Sequence, residues 1–140
     1  MNPTIDTEVA WCAGFFDGEG HVSYHRSYPS ETSGRVSPQL YANVPQASDN
    51  IEVLVFFQSV VGLGKILGPY KMPNSNRTQH KLQFGIKEVE PLFLILRPYL
   101  RAEKTTDFQN ALLGYWTHDS NPTPEDWERA VKRDMKKMSK

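Results

Sequence analysis

Two carboxylates, Asp17 and Glu19, alternate with Gly18 and Gly20 directly after an apolar stretch. A carboxylate at the end of a packed helix is held rigidly, and carboxylate oxygens are the ligands a hard divalent cation such as Mg2+ takes. Residues 9–20 read as that helix and its end. At about 100° per residue, Val9, Cys12, Ala13 and Phe16 form one apolar stripe, and Ala10, Gly14, Asp17 and Gly18 form a second stripe of small residues. Trp11 and Phe15 occupy the remainder. Few polar side chains are left to face water, so the helix is expected to be buried on most sides. Each glycine inside a helix costs roughly 1 kcal/mol against alanine. That cost is tolerable where another backbone comes close, so the small stripe is expected to receive a second helix. Taken alone, Asp-Gly-Glu-Gly reads more simply as a helix stop followed by a turn.

At 140 residues the chain is read as one domain, with a core over about 6–117 and a C-terminal helix over about 124–138. One cysteine, Cys12, has nothing in the chain to pair with, which suits a reducing compartment. No apolar run approaches the ~20 residues of a membrane span, and the first residues lack the basic start and apolar core of a signal peptide. The expectation is an intracellular protein with no membrane partner, in the cytoplasm or in an organelle with its own genome. Formal net charge is +0, which by itself argues mildly against nucleic acid. Its distribution argues the other way. Segments 20–28, 35–45 and 64–86 hold Arg26, Arg35, Lys65, Lys71, Arg77 and Lys81 and no acid, the footprint expected of a surface that meets phosphate.

The elements that carry these residues follow from pattern. The first helix starts at a cap on Asp6 or Thr7. Residues 21–28 alternate as a strand, with His21, Ser23, His25 and Ser27 on one face. Residues 36–44 form a second strand, with Ser37, Gln39, Tyr41 and Asn43 facing out and Leu40, Ala42 and Val44 facing the core. A face of Ser, His, Gln, Tyr and Asn is most simply the solvated side of a one-sided antiparallel sheet; it also offers the donors and acceptors that reading bases in a major groove requires. Ser48 or Asp49 caps a helix over about 49–61, ended by Gly62-Leu63-Gly64. Strands over 65–71 and 79–87 follow, with Leu82, Phe84 and Ile86 inward and Lys81 and Gln83 outward. Pro91 is placed in the first turn of a third helix, broken at Pro98, and a fourth covers about 102–116. Thr123, Pro124, Glu125 and Asp126 open a last helix whose narrow apolar side is Trp127, Ala130, Val131, Met135 and Met138. That side is expected to pack on the domain or on a partner, and Lys132, Arg133, Lys136, Lys137 and Lys140 are available to phosphate. His21 and His25 stand four apart on a strand, about 13 Å, too far to share one ion, and with no cysteine pair a zinc site has little support.

The run Cys12-Ala13-Gly14-Phe15-Phe16-Asp17-Gly18-Glu19-Gly20 resembles the LAGLIDADG motif of homing endonucleases, in its AGF-x-DGEG form. Cys12 stands for the usual Leu, Gly18 for Ala and Glu19 for the commoner Asp. Weaker similarity extends over about residues 8–116 and includes Val44-Pro45-Gln46, Gly62-Leu63-Gly64 and Leu96-Arg97-Pro98-Tyr99-Leu100. The resemblance implies an α+β fold of order αββαββα, its four strands forming a curved antiparallel sheet laid on DNA, here with extra C-terminal helices.

It also implies roles. Glu19 would bind the catalytic metal, Mg2+ with Mn2+ able to substitute, and Asp17 would help end the helix. Gln46 would position water near the scissile phosphate. A basic residue common a few positions later is replaced by Asn50. The Lys expected after the Pro-aromatic-Leu turn falls by strict spacing on Glu103; its neighbour Lys104 is taken for the role, with Arg101 as the fallback. Ala10, Gly14, Asp17 and Gly18 would pack two copies side by side, as in the single-motif homodimeric group. The outward Ser23, His25, Ser27, Ser37, Gln39, Tyr41, Asn43, Lys81 and Gln83, with Arg35, Lys65, Lys71 and Arg77, would contact double-stranded DNA. The function expected is therefore a homodimeric endonuclease that makes a double-strand break in a long, nearly palindromic site, of the kind encoded by introns or inteins. The alternative is a non-cleaving binder of the same fold, either a splicing helper that binds RNA or a DNA-binding regulator.

Overall fold

The structure is a computed structural model and describes residues 6–138; Lys140, placed above on the basic side of the last helix, lies outside them. The elements run α1 (Thr7–Glu19), β1 (His21–Arg26), β2 (Pro38–Ala47), α2 (Ile51–Val61), β3 (Lys65–Lys71), β4 (Thr78–Phe84), α3 (Ile86–Leu96), α4 (Ala102–Trp116) and α5 (Pro124–Met138). The order αββαββα with two further helices is the one expected. The sheet runs β1-β2-β4-β3, with every neighbouring pair antiparallel.

One face of the sheet is covered by helices. Leu40, Ala42 and Val44 of β2 and Leu82 and Phe84 of β4 are buried against Cys12, Ala13 and Phe16 of α1, Leu54 and Phe57 of α2, the apolar side of α3, and Phe108, Ala111 and Leu112 of α4. Aromatic rings join the layers. Phe108 of α4 lies 5.2 Å from Phe16 and 5.1 Å from Phe93 between ring centroids. Trp11 stacks on Phe15 at 5.2 Å and meets Phe56 of α2 edge-on, also at 5.2 Å. Burial, with the charges of Glu8 and Asp6 behind it, pushes the Cys12 thiol up to about 12, so Cys12 is a packing residue.

The start of α1 and the end of α2 have explicit caps. Asp6 Oδ1 accepts from the backbone N–H of Glu8 at 3.1 Å and of Val9 at 3.2 Å. Gly62, at φ +70°, closes α2 in the left-handed conformation that glycine takes without strain.

The structure departs from the sequence reading in five places. First, α1 is not buried on most sides: a Cβ added at Gly14 or Gly18 would meet nothing within 4 Å, so the small stripe is an open face of this chain. Second, neither Ser48 nor Asp49 caps α2: both lie in a 3-10 turn over Ser48–Asn50, the N-cap is Asn50, which makes no side-chain hydrogen bond, and the Ser48 hydroxyl is engaged with Thr78 and His80. Third, β4 ends at Phe84 and α3 begins at Ile86, so Pro91 sits inside α3. Glu88 starts that helix: its Oε1 accepts from Gly85 N at 3.1 Å and its Oε2 from Gly64 N at 2.8 Å. Pro91 leaves the Lys87 carbonyl without its helical donor, a smaller loss because both residues are exposed.

Fourth, β1 stops at Arg26, and Arg26 turns away from the open face of the sheet. Its Nε donates to Asp126 Oδ2 at 3.0 Å. Fifth, α5 docks by a polar side. Asp126 is 1% exposed. Its Oδ1 accepts from Arg129 Nη2 at 2.6 Å and its Oδ2 from Thr123 N at 2.7 Å, while its own N–H donates to Thr123 Oγ1 at 3.2 Å. Arg129 Nη1 in turn donates to the Arg26 carbonyl at 3.1 Å. Of the expected apolar side only Ala130 is buried; Trp127 is 50% and Met135 64% exposed. Among the described residues no helix is long and apolar enough to cross a membrane.

Candidate nucleic-acid interface and catalytic end

The second face of the sheet is open, and cross-strand register shows which side chains share it. His21 pairs with Asn43, Asn43 with Gln83 and Gln83 with Lys65, one row of polar side chains across all four strands. A parallel row joins Pro45, Lys81 and Leu67, and Ser23 faces Tyr41 while His25 faces Gln39. Of the residues expected to contact DNA, the register thus brings Ser23, His25, Gln39, Tyr41, Asn43, Lys65, Lys81 and Gln83 onto one surface. The four strands contain no Asp or Glu. His25 meets Tyr41 edge-on at 5.9 Å, and the Lys81 ammonium lies 5.1 Å from the Tyr70 ring centroid.

The other expected contacts stand apart from that surface. Ser27 and Ser37 continue its alternation at the far end of the hairpin, but Ser27 is committed to the backbone: its Oγ accepts from Ser37 N at 2.6 Å and donates to the Tyr28 carbonyl at 3.2 Å. Lys71 pairs with Thr78, and Tyr70 with Gln79, after a register shift between Leu67 and Tyr70. Alternation therefore places Lys71 on the opposite side from Tyr70. Arg35 and Arg77 are exposed on loops, Arg77 in the β3–β4 connection, where its N–H donates to Ser75 Oγ at 3.0 Å.

The catalytic candidates gather where α1 ends. Glu19 is the last residue of the helix and is exposed. Gly20 follows with an extended backbone, and its N–H donates to the Phe16 carbonyl at 2.8 Å. A side chain at Gly20 would collide with the buried Phe16 ring, so glycine is required by space and not by φ. Lys104 lies beside this turn. Its Nζ donates to the Gly20 carbonyl at 2.8 Å and stands 5.9 Å from the Phe16 ring centroid. Asp17 does not end α1, which continues to Glu19. Instead its two carboxylate oxygens accept from Arg101 N at 3.2 Å each, bonding the residue that opens α4 and tying the end of one helix to the start of the other. Asp17, Arg101, Glu103 and Lys104 line a hollow of about 350 Å³ together with Gly14 and Gly18. The hollow therefore lies on the open glycine stripe.

Gln46 stands near the end of β2. Because Asn43 pairs with His21, Gln46 is three residues beyond the strand position opposite the start of β1, at the end of the sheet where α1 meets β1. By alternation it shares the side of Val44, and its Oε1 accepts from Ala47 N at 3.2 Å. Asn50 closes the 3-10 turn that follows.

As a metal ligand, Glu19 offers hard oxygen donors at an accessible position, the chemistry Mg2+ takes. Among the described residues no group of three or more His, Cys, Asp or Glu gathers to hold a metal ion. A cation at Glu19 would not rest on a cluster of such side chains within the described residues.

No family model and no curated protein matches the sequence. Solved structures do. The homing endonuclease I-CvuI, in complex with an I-CreI target, aligns with TM-score 0.64 at 19% identity over 76% of this chain and 64% of that one. The group I intron-encoded homing endonuclease I-CeuI, complexed with DNA, aligns with TM-score 0.63 at 19% identity over 81% of this chain and 56% of that one. The LAGLIDADG meganuclease I-CpaMI, bound to uncleaved DNA, aligns with TM-score 0.62 at 20% identity over 80% of this chain and 36% of that one. The chain has the LAGLIDADG homing-endonuclease fold. At this level of identity the likeness is one of fold, and this chain spans less than two thirds of each of those three chains.

Proposed function

We propose that this protein is a sequence-specific DNA endonuclease of the LAGLIDADG type, acting as a homodimer with a divalent metal, Mg2+ or in its place Mn2+. The observation that carries the reading is the end of α1. An exposed Glu19 terminates a helix whose Gly14 and Gly18 side is uncovered within the chain, at the margin of an acid-free polar sheet face. Two copies packed on that stripe would bring two Glu19 carboxylates together, and DNA phosphate oxygens and water would complete the ligands that one chain lacks.

The metal, when bound, supplies charge stabilisation at the scissile phosphate and an acidified water. The chain's own residues do the rest. Lys104, held at the Gly20 carbonyl, keeps a positive charge beside Glu19, where negative charge grows as the phosphodiester is attacked. Gln46 offers amide hydrogen bonds to orient water for in-line attack. The rows from His21 to Lys65 and from Pro45 to Leu67 present donors, acceptors and two ammonium groups to base edges and phosphates. Asp17 acts within the chain as the tie to α4 as well as lying on the dimer stripe.

Incubating the protein with a randomised duplex pool in Mg2+ and sequencing the cut ends tests the reading. A recurrent, nearly palindromic cut site supports it. Recovery of bound but uncut DNA in both Mg2+ and Mn2+ would replace it with the second reading, a non-cleaving DNA- or RNA-binding protein of the same fold. Asn50 and Glu103, where the family resemblance expects basic residues, are the feature that keeps the second reading in view. Origin in an intron or intein and an intracellular location in cytoplasm or organelle belong to the same proposal.

A further inference from the structure

Beside Gln46, at the end of the sheet, stands a chain of three polar side chains to which the reading above gives no role. Thr78 Oγ1 donates to Ser48 Oγ at 2.7 Å, and Ser48 Oγ lies 2.8 Å from Nδ1 of His80. His80 is the direct cross-strand partner of Gln46, and such partners carry Cβ atoms about 5 Å apart on the same side of the sheet. The two residues share the side of Val44 and Leu82, but at the rim, where both are only half-buried.

The hydroxyl chain bears on the imidazole tautomer. Ser48 Oγ takes the Thr78 proton and is free to turn its own toward His80 Nδ1, the arrangement in which the ring N–H lies on Nε2. Among the described residues no protein hydrogen bond reaches that nitrogen. Gln46 is half-fixed: its Oε1 takes the Ala47 N–H, so its NH2 group is the free end of the amide.

We propose that His80 is a positioning residue for Gln46, its Nε2–H fixed by Ser48 and Thr78 so that the rim of β2 and β4 presents an ordered set of donors to the water and phosphate at the cutting centre. The inference rests on the endonuclease reading and on Gln46 belonging to that centre.

The test uses the full chain and a duplex that the wild type cuts, with His80→Ala, His80→Gln and Ser48→Ala. Single-turnover cleavage is measured in Mg2+ and affinity for the same duplex in Ca2+. His80→Ala is expected to slow cleavage about tenfold or more, the size of a misplacement effect, with Kd unchanged within about twofold. Ser48→Ala should slow it less, and His80→Gln, which restores an N–H near the place of Nε2, should recover most of the rate. His80→Ala cutting at the wild-type rate would overturn the proposal. So would joint loss of rate and affinity with no recovery in His80→Gln, since that is the mark of a merely structural histidine. A wild type that binds DNA and cuts none overturns the endonuclease reading itself, before any variant is compared.

Discussion

Gly20 shows how one residue couples the core to the candidate site. Its missing side chain leaves room for the buried Phe16 ring, and its carbonyl holds the Lys104 ammonium. Gly20→Ala should therefore do two things. It should destabilise the fold by about 1–3 kcal/mol, as overpacking does, and it should move Lys104 away from Glu19. Chemical denaturation reads the first effect and single-turnover cleavage the second; an alanine variant with wild-type stability would contradict the packing described. The sequence shows the Asp-Gly-Glu-Gly run but not why Gly20 must be glycine, because the reason is a ring four residues back across a helix end. The family resemblance puts Lys104 first and Arg101 as the fallback. The structure bonds the Lys104 ammonium at the turn after Glu19 and uses only the backbone of Arg101, through Asp17.

α5 is held by an element of the fold that periodicity does not reveal. Its apolar stripe is plain in the sequence, yet it docks through Asp126, buried between Arg26 and Arg129. A carboxylate whose partners include a residue 100 positions away leaves no pattern in a local window. The elements with strong alternation or helical spacing were legible almost to their ends; those whose ends depend on distant hydrogen bonds, such as Ser48 before α2 and Glu88 before α3, were not. Burial alone would raise the Asp126 carboxyl, but the Thr123 N–H and the Arg129 and Arg26 guanidinium groups outweigh it and bring it down to about 2. A lowered carboxylate pKa stabilises the fold above the ordinary value near 4 and loses that contribution as pH falls toward 2. Protection of α5 amides from hydrogen exchange, corrected for intrinsic rate, should accordingly fall between pH 4 and 2. Asp126→Asn should lose about 3 kcal/mol at neutral pH and show no such acid step. An acid step unchanged in Asp126→Asn would assign it to another group.

Across the molecule, the open stripe of α1 gives the account its clearest division between folding and assembly. Within the chain nothing approaches Gly14, so Gly14→Leu should leave the monomer fold intact and gain up to about 1 kcal/mol of helix propensity. In the dimer the same side chain would hold two backbones apart. Sedimentation should therefore show wild type as a dimer and Gly14→Leu as a folded monomer; a variant that remains dimeric would refute packing through this stripe. The sheet surface was legible in outline from strand alternation. Its membership was not, since the register shift in β3 turns Lys71 to the other side and the Ser27 hydroxyl is taken up by the backbone.

The proposed metal chemistry depends on Glu19, and one comparison tests it. On a duplex that the wild type cuts, Glu19→Gln keeps the size and hydrogen-bonding reach of the side chain and removes its charge. Measured side by side, affinity in Ca2+ should change little, while cleavage in Mg2+ should fall by more than about a hundredfold, the loss of several kcal/mol of metal-supplied stabilisation. Glu19→Gln cutting within a few-fold of wild type would contradict the account, and the metal carboxylate would have to be sought elsewhere.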